Sequence, residues 1–366
     1  MRVLLVITRG DEIGGAQSYV RDLAVRMAAD GHQVHLATGS AGALTNAVEA
    51  QGISWSIVPG LLRDIDPRHD VGAVRKTIQL IRQWQPDLVS AHSSKAGIVA
   101  RIAAKRVGVP CIFTAHGWAF TEGISSKKRL LFRGIERAMA PLAARIICVS
   151  EHDHELAKSA GFPTNRLVTI HNGIPDRPRS IPIQTDASPV RVVMTARFSP
   201  QKQPITLLNA IAPLANAECW LVGDGPNLDE AKAAAIQLGI TERVRFLGQS
   251  DDVPGVLEQC QIFALASDWE GFPISTLEAM RAELPVIVTD VGGSAEAIAE
   301  GVSGYAVPPR DVEEMRARIR GLIDDPALRA RMGAAARARY LRHFTFDEMY
   351  RRTMGTYEAA LLRKPR

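Results

Sequence analysis

Two glutamates, Glu270 and Glu278, lie in the stretch Ser267-Asp268-Trp269-Glu270-Gly271-Phe272-Pro273-Ile274-Ser275-Thr276-Leu277-Glu278. The apolar run Ile262-Phe263-Ala264-Leu265 before it reads as a short buried strand, and Gly271 with Pro273 marks a tight loop. Ser275-Thr276-Leu277-Glu278 has the pattern of a capping box, so a helix is expected to open there with Glu278 in its first turn. Free backbone N–H groups at a helix start hold anions. A carboxylate beside them repels the anion unless it binds something else, and sugar or ribose hydroxyls are natural partners. The stretch therefore points to a site for a sugar-bearing nucleotide. The plainer reading is that Glu278 caps a helix and Glu270 is a solvated loop charge.

Other strand ends carry complementary chemistry. Arg197 and Lys202 follow the strand-like stretch 190–196 on a loop containing Pro200. Two fixed cations at a strand's carboxyl end suit a pyrophosphate, Arg bridging oxygens and Lys acting as a point charge. Gly223 ends the run Leu221-Val222, and Gly292-Gly293 precedes a helix start. Phosphate oxygens can approach backbone N–H groups closely where there is no Cβ. Near the N-terminus, Gly14-Gly15 follows the run Val3–Ile7 and precedes a helical pattern, although the spacing matches neither GxGxxG nor a Walker loop. His116 stands before Gly117 at the end of the run 110–114, a place that packing explains poorly. His92-Ser93-Ser94-Lys95 and Val149-Ser150-Glu151 fall at similar ends. Asp64-Ile65-Asp66 spells a DxD, but it precedes Pro67 rather than ending a strand. It reads as a turn and not as a metal site.

These residues need a scaffold of strand ends. The chain has 366 residues, 46% hydrophobic and 23% charged, which suits two ordered domains rather than one core. Apolar runs near 33–37, 53–58, 87–90, 110–114, 144–149 and 166–170 alternate with helical patterns. A second alternating series runs from Val190 onward. Such alternation predicts doubly wound parallel sheets, with ligands at the carboxyl ends of strands. The expected division is a first domain over 1–174, a linker over 175–189 and a second domain over 190–345, which from the residues above would hold the sugar-bearing nucleotide. A C-terminal helix over 346–366 is expected to pack back towards the first domain. Pro175, Pro178, Pro182 and Pro189 mark the linker.

Net charge is +5, mild enough to fit phosphate-bearing ligands or anionic lipid without indicating nucleic acid. Cys111, Cys148, Cys219 and Cys260 form no metal-binding spacing, and Cys111 and Cys148, inside apolar runs, read as buried free thiols, which suggests a reducing cytoplasm. The first apolar run is too short for a signal-peptide core, and no stretch approaches a membrane span. Lys127, Lys128, Arg129, Arg133 and Arg137 lie on a helical pattern with Leu131 and Ile135. Such a basic stripe suits either an anionic membrane surface, here the inner face of the plasma membrane, or plain solvation.

Taken together, Glu270-x7-Glu278, Arg197 with Lys202, Gly14-Gly15, His116-Gly117, Asn172-Gly173 and Gly292-Gly293 make the chain resemble the retaining GT-B-fold enzymes of glycosyltransferase family four. The likeness spans nearly the whole chain. It implies two doubly wound, Rossmann-like domains facing across a cleft. It implies sugar transfer with retention from a nucleotide sugar, UDP- or GDP-linked, without a metal. By the same likeness Arg197 and Lys202 hold the diphosphate, Glu278 the ribose and Glu270 the sugar. Gly223, the backbone of Gly271, Phe272, Pro273, Ile274 and Ser275, and Gly292-Gly293 lie near the donor, while His116 reaches the transferred sugar. Gly14-Gly15 lines the acceptor side. The chain has Ala196-Arg197-Phe198 where Gly-Arg-Leu is common in the family, a change that spares the basic pair. The acceptor would be a glycan or lipid-linked glycan of cell-surface polysaccharide. An epimerase or hydrolase of nucleotide sugars, a glycoside hydrolase, or a non-catalytic nucleotide-sugar binder remain alternatives from these residues.

Overall fold

The computed structural model describes residues 1–62, 66–121, 123–184 and 187–362. Asp64 and Ile65 of the DxD lie outside them, while Asp66 pairs with His69 on the adjoining helix. The chain divides into two compact units. The first is Met1–His171 with the segment from Met349 onward, and the second is Asn172–Glu348.

The strands of the first unit are β1 (Arg2–Ile7), β2 (Gln33–Thr38), β3 (Ser54–Ile57), β4 (Leu88–His92), β5 (Cys111–Ala115), β6 (Arg145–Cys148) and β7 (Leu167–Thr169). They form one parallel sheet in the order β3-β2-β1-β4-β5-β6-β7. Its helices are α1 (Gly15–Ala29), α2 (Ala43–Glu49), α3 (Pro67–Trp84), α4 (Ser94–Val107), α5 (Ser126–Met139) and α6 (Glu151–Ser159). Helices on both faces explain why Val3 to Ile7 can be apolar without alternation, since all five are at most 1% exposed.

The second unit has helices α7 (Pro204–Ile211), α8 (Leu228–Gln237), α9 (Val253–Glu258), α10 (Ile274–Arg281), α11 (Val312–Asp324) and α12 (Pro326–His343). The last helix, α13 (Phe346–Leu361), starts in the second unit and continues in the first. The second sheet is also parallel, in the order β10-β9-β8-β11-β12-β13, from β8 (Val190–Thr195), β9 (Ala217–Val222), β10 (Val244–Gly248), β11 (Ile262–Leu265), β12 (Val286–Thr289) and β13 (Gly304–Val307). The helix start expected after Gly292-Gly293 is only a 3₁₀ turn, Ser294–Ala297.

The described part of 175–189 has neither helix nor strand, but it is strapped to the second unit. The Arg281 guanidinium donates to Pro175 O at 2.9 Å, Arg337 pairs with Asp176, and Arg179 donates to Glu258 O at 2.7 Å.

Strand order reverses between β1 and β4 in the first sheet and between β8 and β11 in the second. Connections leave such neighbours in opposite directions, which opens a crevice at their carboxyl ends. In the second unit that crevice is flanked by the loop after β8, with Arg197 and Lys202, and the loop after β11, with Glu270.

Candidate functional site

In the second unit the two loops are stitched together by backbone. Gln203 N donates to Ala266 O and Asp268 N to Gln201 O, both at 2.9 Å, around an antiparallel bridge between Lys202 and Ser267. This register sets the Lys202 side chain beside Glu270, and the two form an ion pair. Glu270 is only 9% exposed. Besides Lys202, its Oε1 accepts from Ser267 Oγ at 2.6 Å, and its Oε2 accepts from Gln201 Nε2 at 3.1 Å. Gln201 also donates to Trp269 O at 2.5 Å, and Ser267 is held through its backbone by Thr289 Oγ1. The carboxylate is therefore oriented by three donors from two loops. Sequence reading paired Lys202 with Arg197. The structure pairs it with Glu270 and leaves Arg197 exposed on the same loop. An ammonium has three N–H donors, so Lys202 retains capacity for an anion while bound to Glu270.

Two glycines are required by close backbone approach. Gly292 has φ +56, and a Cβ there would lie 1.8 Å from Glu270 O. Gly293 N donates to Gly271 O at 3.0 Å, so the turn after β12 props the loop that carries Glu270. Gly223 has φ +132, and its Cβ would meet Ala196 O at 2.0 Å. That contact seats the turn after β9 against the residue preceding Arg197.

The capping box is a correction. Helix α10 begins at Ile274, with Pro273 as the N-cap residue (φ −71, ψ 123) and no side-chain cap. Proline's fixed φ and extended ψ end the loop just ahead of Ile274, so Ser275 is already helical and cannot take the extended cap conformation. Glu278 lies a full turn into the helix, half-buried. Its position has no capping role. Phe272 and Pro273 are buried, and Phe272 O accepts from Asn172 Nδ2 at 2.8 Å.

In the first unit, Gly14 precedes α1, which has no side-chain cap beyond Gln17 Oε1 accepting from Gly14 N at 3.3 Å. Gly14 and Gly15 are exposed. His116 follows β5, with Gly117 at φ +106. Its ring packs edge-on to buried Tyr19 of α1, centroids 4.9 Å apart. His116 Nε2 lies 3.2 Å from His92 Nδ1. Burial pushes the His116 imidazole down to about 4. Burial, with repulsion from His116 second, holds His92 well below the ordinary range. Both rings are neutral near pH 7, so His116 serves as a neutral hydrogen-bonding group rather than a cation.

On α5, Lys127, Lys128, Arg129, Arg133 and Arg137 are exposed, together with Leu130 (71%) and Leu131 (56%). The apolar partner of the stripe is Leu130-Leu131, because Ile135 is half-buried. Glu136 on the opposite face is buried and meets Arg101 of α4 at 2.7 Å, which fixes the helix face outward. Among the described residues no helix is long and apolar enough to cross a membrane.

Two parallel α/β sheets, each with its chemistry at the switch point, define a GT-B architecture, and the comparisons agree. The family model "Glycosyltransferase Family 4" matches residues 13–177 and "Glycosyl transferases group 1" matches 180–339. The chain belongs to the GT-B-fold glycosyltransferases of family four. It is 26% identical to the UDP-Gal:alpha-D-GlcNAc-diphosphoundecaprenol alpha-1,3-galactosyltransferase of Escherichia coli, over 81% of both chains. It is 28% identical to the O-antigen biosynthesis glycosyltransferase WbnH of Escherichia coli, over 80% of this chain and 82% of that one. Among solved structures, Anabaena Alr3699/HepE in complex with UDP and glucose superposes with TM-score 0.84 at 23% identity, over 98% of this chain and 100% of that one. Both curated relatives are named as transferases, which leaves the epimerase, hydrolase and pure-binder readings without support.

Proposed function

We propose that this glycosyltransferase moves a sugar from a UDP- or GDP-sugar to a lipid-linked glycan during assembly of a cell-surface polysaccharide, with retention and without a metal. The observation that carries the donor reading is the Lys202–Glu270 ion pair at the β8/β11 crevice. One loop pair there offers a cation to a diphosphate and an oriented carboxylate to a sugar hydroxyl. We assign Arg197 and Lys202 to the diphosphate, Glu270 to the sugar, Glu278 to the ribose, and Gly223, Gly271–Ser275 and Gly292–Gly293 to the surrounding backbone. His116 is assigned to the sugar and Gly14-Gly15 to the acceptor side.

The chemistry follows from charge. Breaking the bond from anomeric carbon to phosphate oxygen builds negative charge on the leaving diphosphate, and fixed cations stabilise it where it grows. Arg197 and Lys202 supply that charge in this reading, so the reaction needs no added metal. Three donors occupy three of the roughly four acceptor sites of the Glu270 carboxylate, which leaves room for one sugar hydroxyl but disfavours it as a covalent nucleophile. Attack from the same face, helped by the leaving phosphate, fits better and gives retention, as the family likeness implies.

The acceptor reading draws on the relatives' names and on α5. Its basic face with two protruding leucines suits the inner face of the plasma membrane, where a lipid-linked acceptor would lie. The test is incubation of the pure protein with labelled nucleotide sugars and bacterial lipid extract, with EDTA present. Label entering the lipid phase with the anomeric configuration of the donor is expected. Free sugar or an isomerised donor, with no labelled lipid from any donor, overturns the reading.

A further inference from the structure

His116 is the outer end of a hydrogen-bonded chain through the first unit. His116 Nε2 lies 3.2 Å from His92 Nδ1, His92 Nε2 lies 3.0 Å from Ser90 Oγ, and Ser90 Oγ lies 2.6 Å from the Tyr357 hydroxyl of α13. Ser90, His92 and Tyr357 are all 0% exposed. His92 ends β4 and His116 directly follows the neighbouring β5; the pairing of the two strands sets His92 opposite Thr114.

Such a chain can run in only one direction without leaving a buried proton unbonded. Among the described residues the Tyr357 hydroxyl has a single hydrogen-bond partner, Ser90. A buried phenol O–H without an acceptor is costly, so Tyr357 donates to Ser90. Ser90 has one hydroxyl proton, and its other partner is His92 Nε2. Ser90 therefore donates to Nε2, which must be the unprotonated nitrogen of a neutral ring. The proton of His92 then sits on Nδ1 and is donated to His116 Nε2. His116 Nε2 is an acceptor, and the proton of its ring is on Nδ1. The reverse polarity would leave the Tyr357 proton buried with no acceptor.

We propose that Tyr357, Ser90 and His92 are positioning residues that lock His116 as the Nδ1–H tautomer, so that the site presents a hydrogen-bond donor to its ligand at this point. The group it selects is a neutral acceptor oxygen such as a sugar hydroxyl. This rests on the assignment of His116 to the sugar, but the tautomer itself can be read without any substrate.

The experiment is ¹⁵N NMR on the full-length, His-labelled protein at pH 7.5, with the His116 signals assigned by their loss in His116→Gln. The wild type is expected to show His116 protonated on Nδ1 and unprotonated on Nε2, with the same pattern at His92. Ser90→Ala removes the donor to His92 Nε2. An isolated neutral imidazole prefers the Nε2–H form, so both rings should shift towards it in this variant. His92→Leu should shift His116 alike, whereas Ser90→Thr keeps a hydroxyl and should keep the wild-type pattern. Turnover with donor and acceptor should fall roughly threefold to tenfold in Ser90→Ala, the worth of one misdirected hydrogen bond. An Nε2–H tautomer at His116 in the wild type overturns the proposal. So does an unchanged Nδ1–H tautomer in both Ser90→Ala and His92→Leu. If His116→Gln retains full transferase activity while the tautomers behave as described, the assignment of His116 to the sugar fails and the lock stands.

Discussion

Lys202 and Glu270, 68 residues apart in the chain, neutralise one another in the crevice between β8 and β11. Each substitution in the pair therefore acts on two groups. Lys202→Ala should weaken free nucleoside diphosphate and donor alike by about 1.5–3 kcal/mol, the range for a charged hydrogen bond. Glu270→Gln should not weaken diphosphate, because it releases Lys202 from its counter-charge, but it should lower kcat. Calorimetry with diphosphate and steady-state rates on both variants check this. Tighter dependence of diphosphate on Glu270 than on Lys202 would reverse the assignment.

Glu278→Gln keeps the size and hydrogen-bonding shape of the side chain while removing its charge, at a position one turn inside α10. Loss of a charge-assisted bond to ribose hydroxyls should cost about 1–2 kcal/mol of diphosphate and donor affinity. Equal affinity of variant and wild type for the nucleoside diphosphate rules the ribose contact out.

Gly292→Ala should disrupt the loop under Glu270. The new Cβ would collide with Glu270 O, and φ +56 adds about 1–3 kcal/mol of backbone strain. Gly31→Ala is the control, since Gly31 has φ +82 but nothing within 4 Å. Both should lower the melting temperature, but only Gly292→Ala should reduce transfer activity beyond what lost stability explains. Equal activity in the two folded variants would remove the propping role.

The α5 surface is tested by vesicle sedimentation. The double variant Arg129→Glu, Arg133→Glu should lose affinity for anionic vesicles by at least ~1 kcal/mol per basic side chain removed. Leu130→Ser should weaken binding without altering its salt dependence. Wild-type protein that ignores vesicle charge would show α5 to be a solvated helix.

The depressed His116 and His92 imidazoles set a pH dependence of stability. Both stay neutral in the folded state while the unfolded chain protonates them near the ordinary value of about 6.5. Their contribution is complete above about 6.5. It is lost as pH falls towards about 4, because the unfolded state binds protons that the folded state refuses. Urea melts between pH 7.5 and 4.5 should show stability falling with pH, less steeply in His116→Gln. Parallel slopes in variant and wild type would mean that His116 titrates normally.

The sequence by itself determined the two parallel sheets, because strands buried on both faces must be continuous apolar runs and Val3–Ile7 and Ile262–Leu265 are such runs. It also located the strand-end residues, since loops at carboxyl ends follow directly from that alternation. It misplaced the start of α10, where a capping pattern competes with the stronger geometric constraint of Pro273. Only the tertiary structure decided who meets whom. Lys202 reaches Glu270 through a bridge to Ser267, and Gln201 joins them, because the switch-point order makes β8 and β11 neighbours. Ser90 and Tyr357 are separated by 267 residues and carry no local pattern that links them. Their contact exists because the final helix packs on the first sheet, and that packing places a single phenol proton at the far end of the chain to His116.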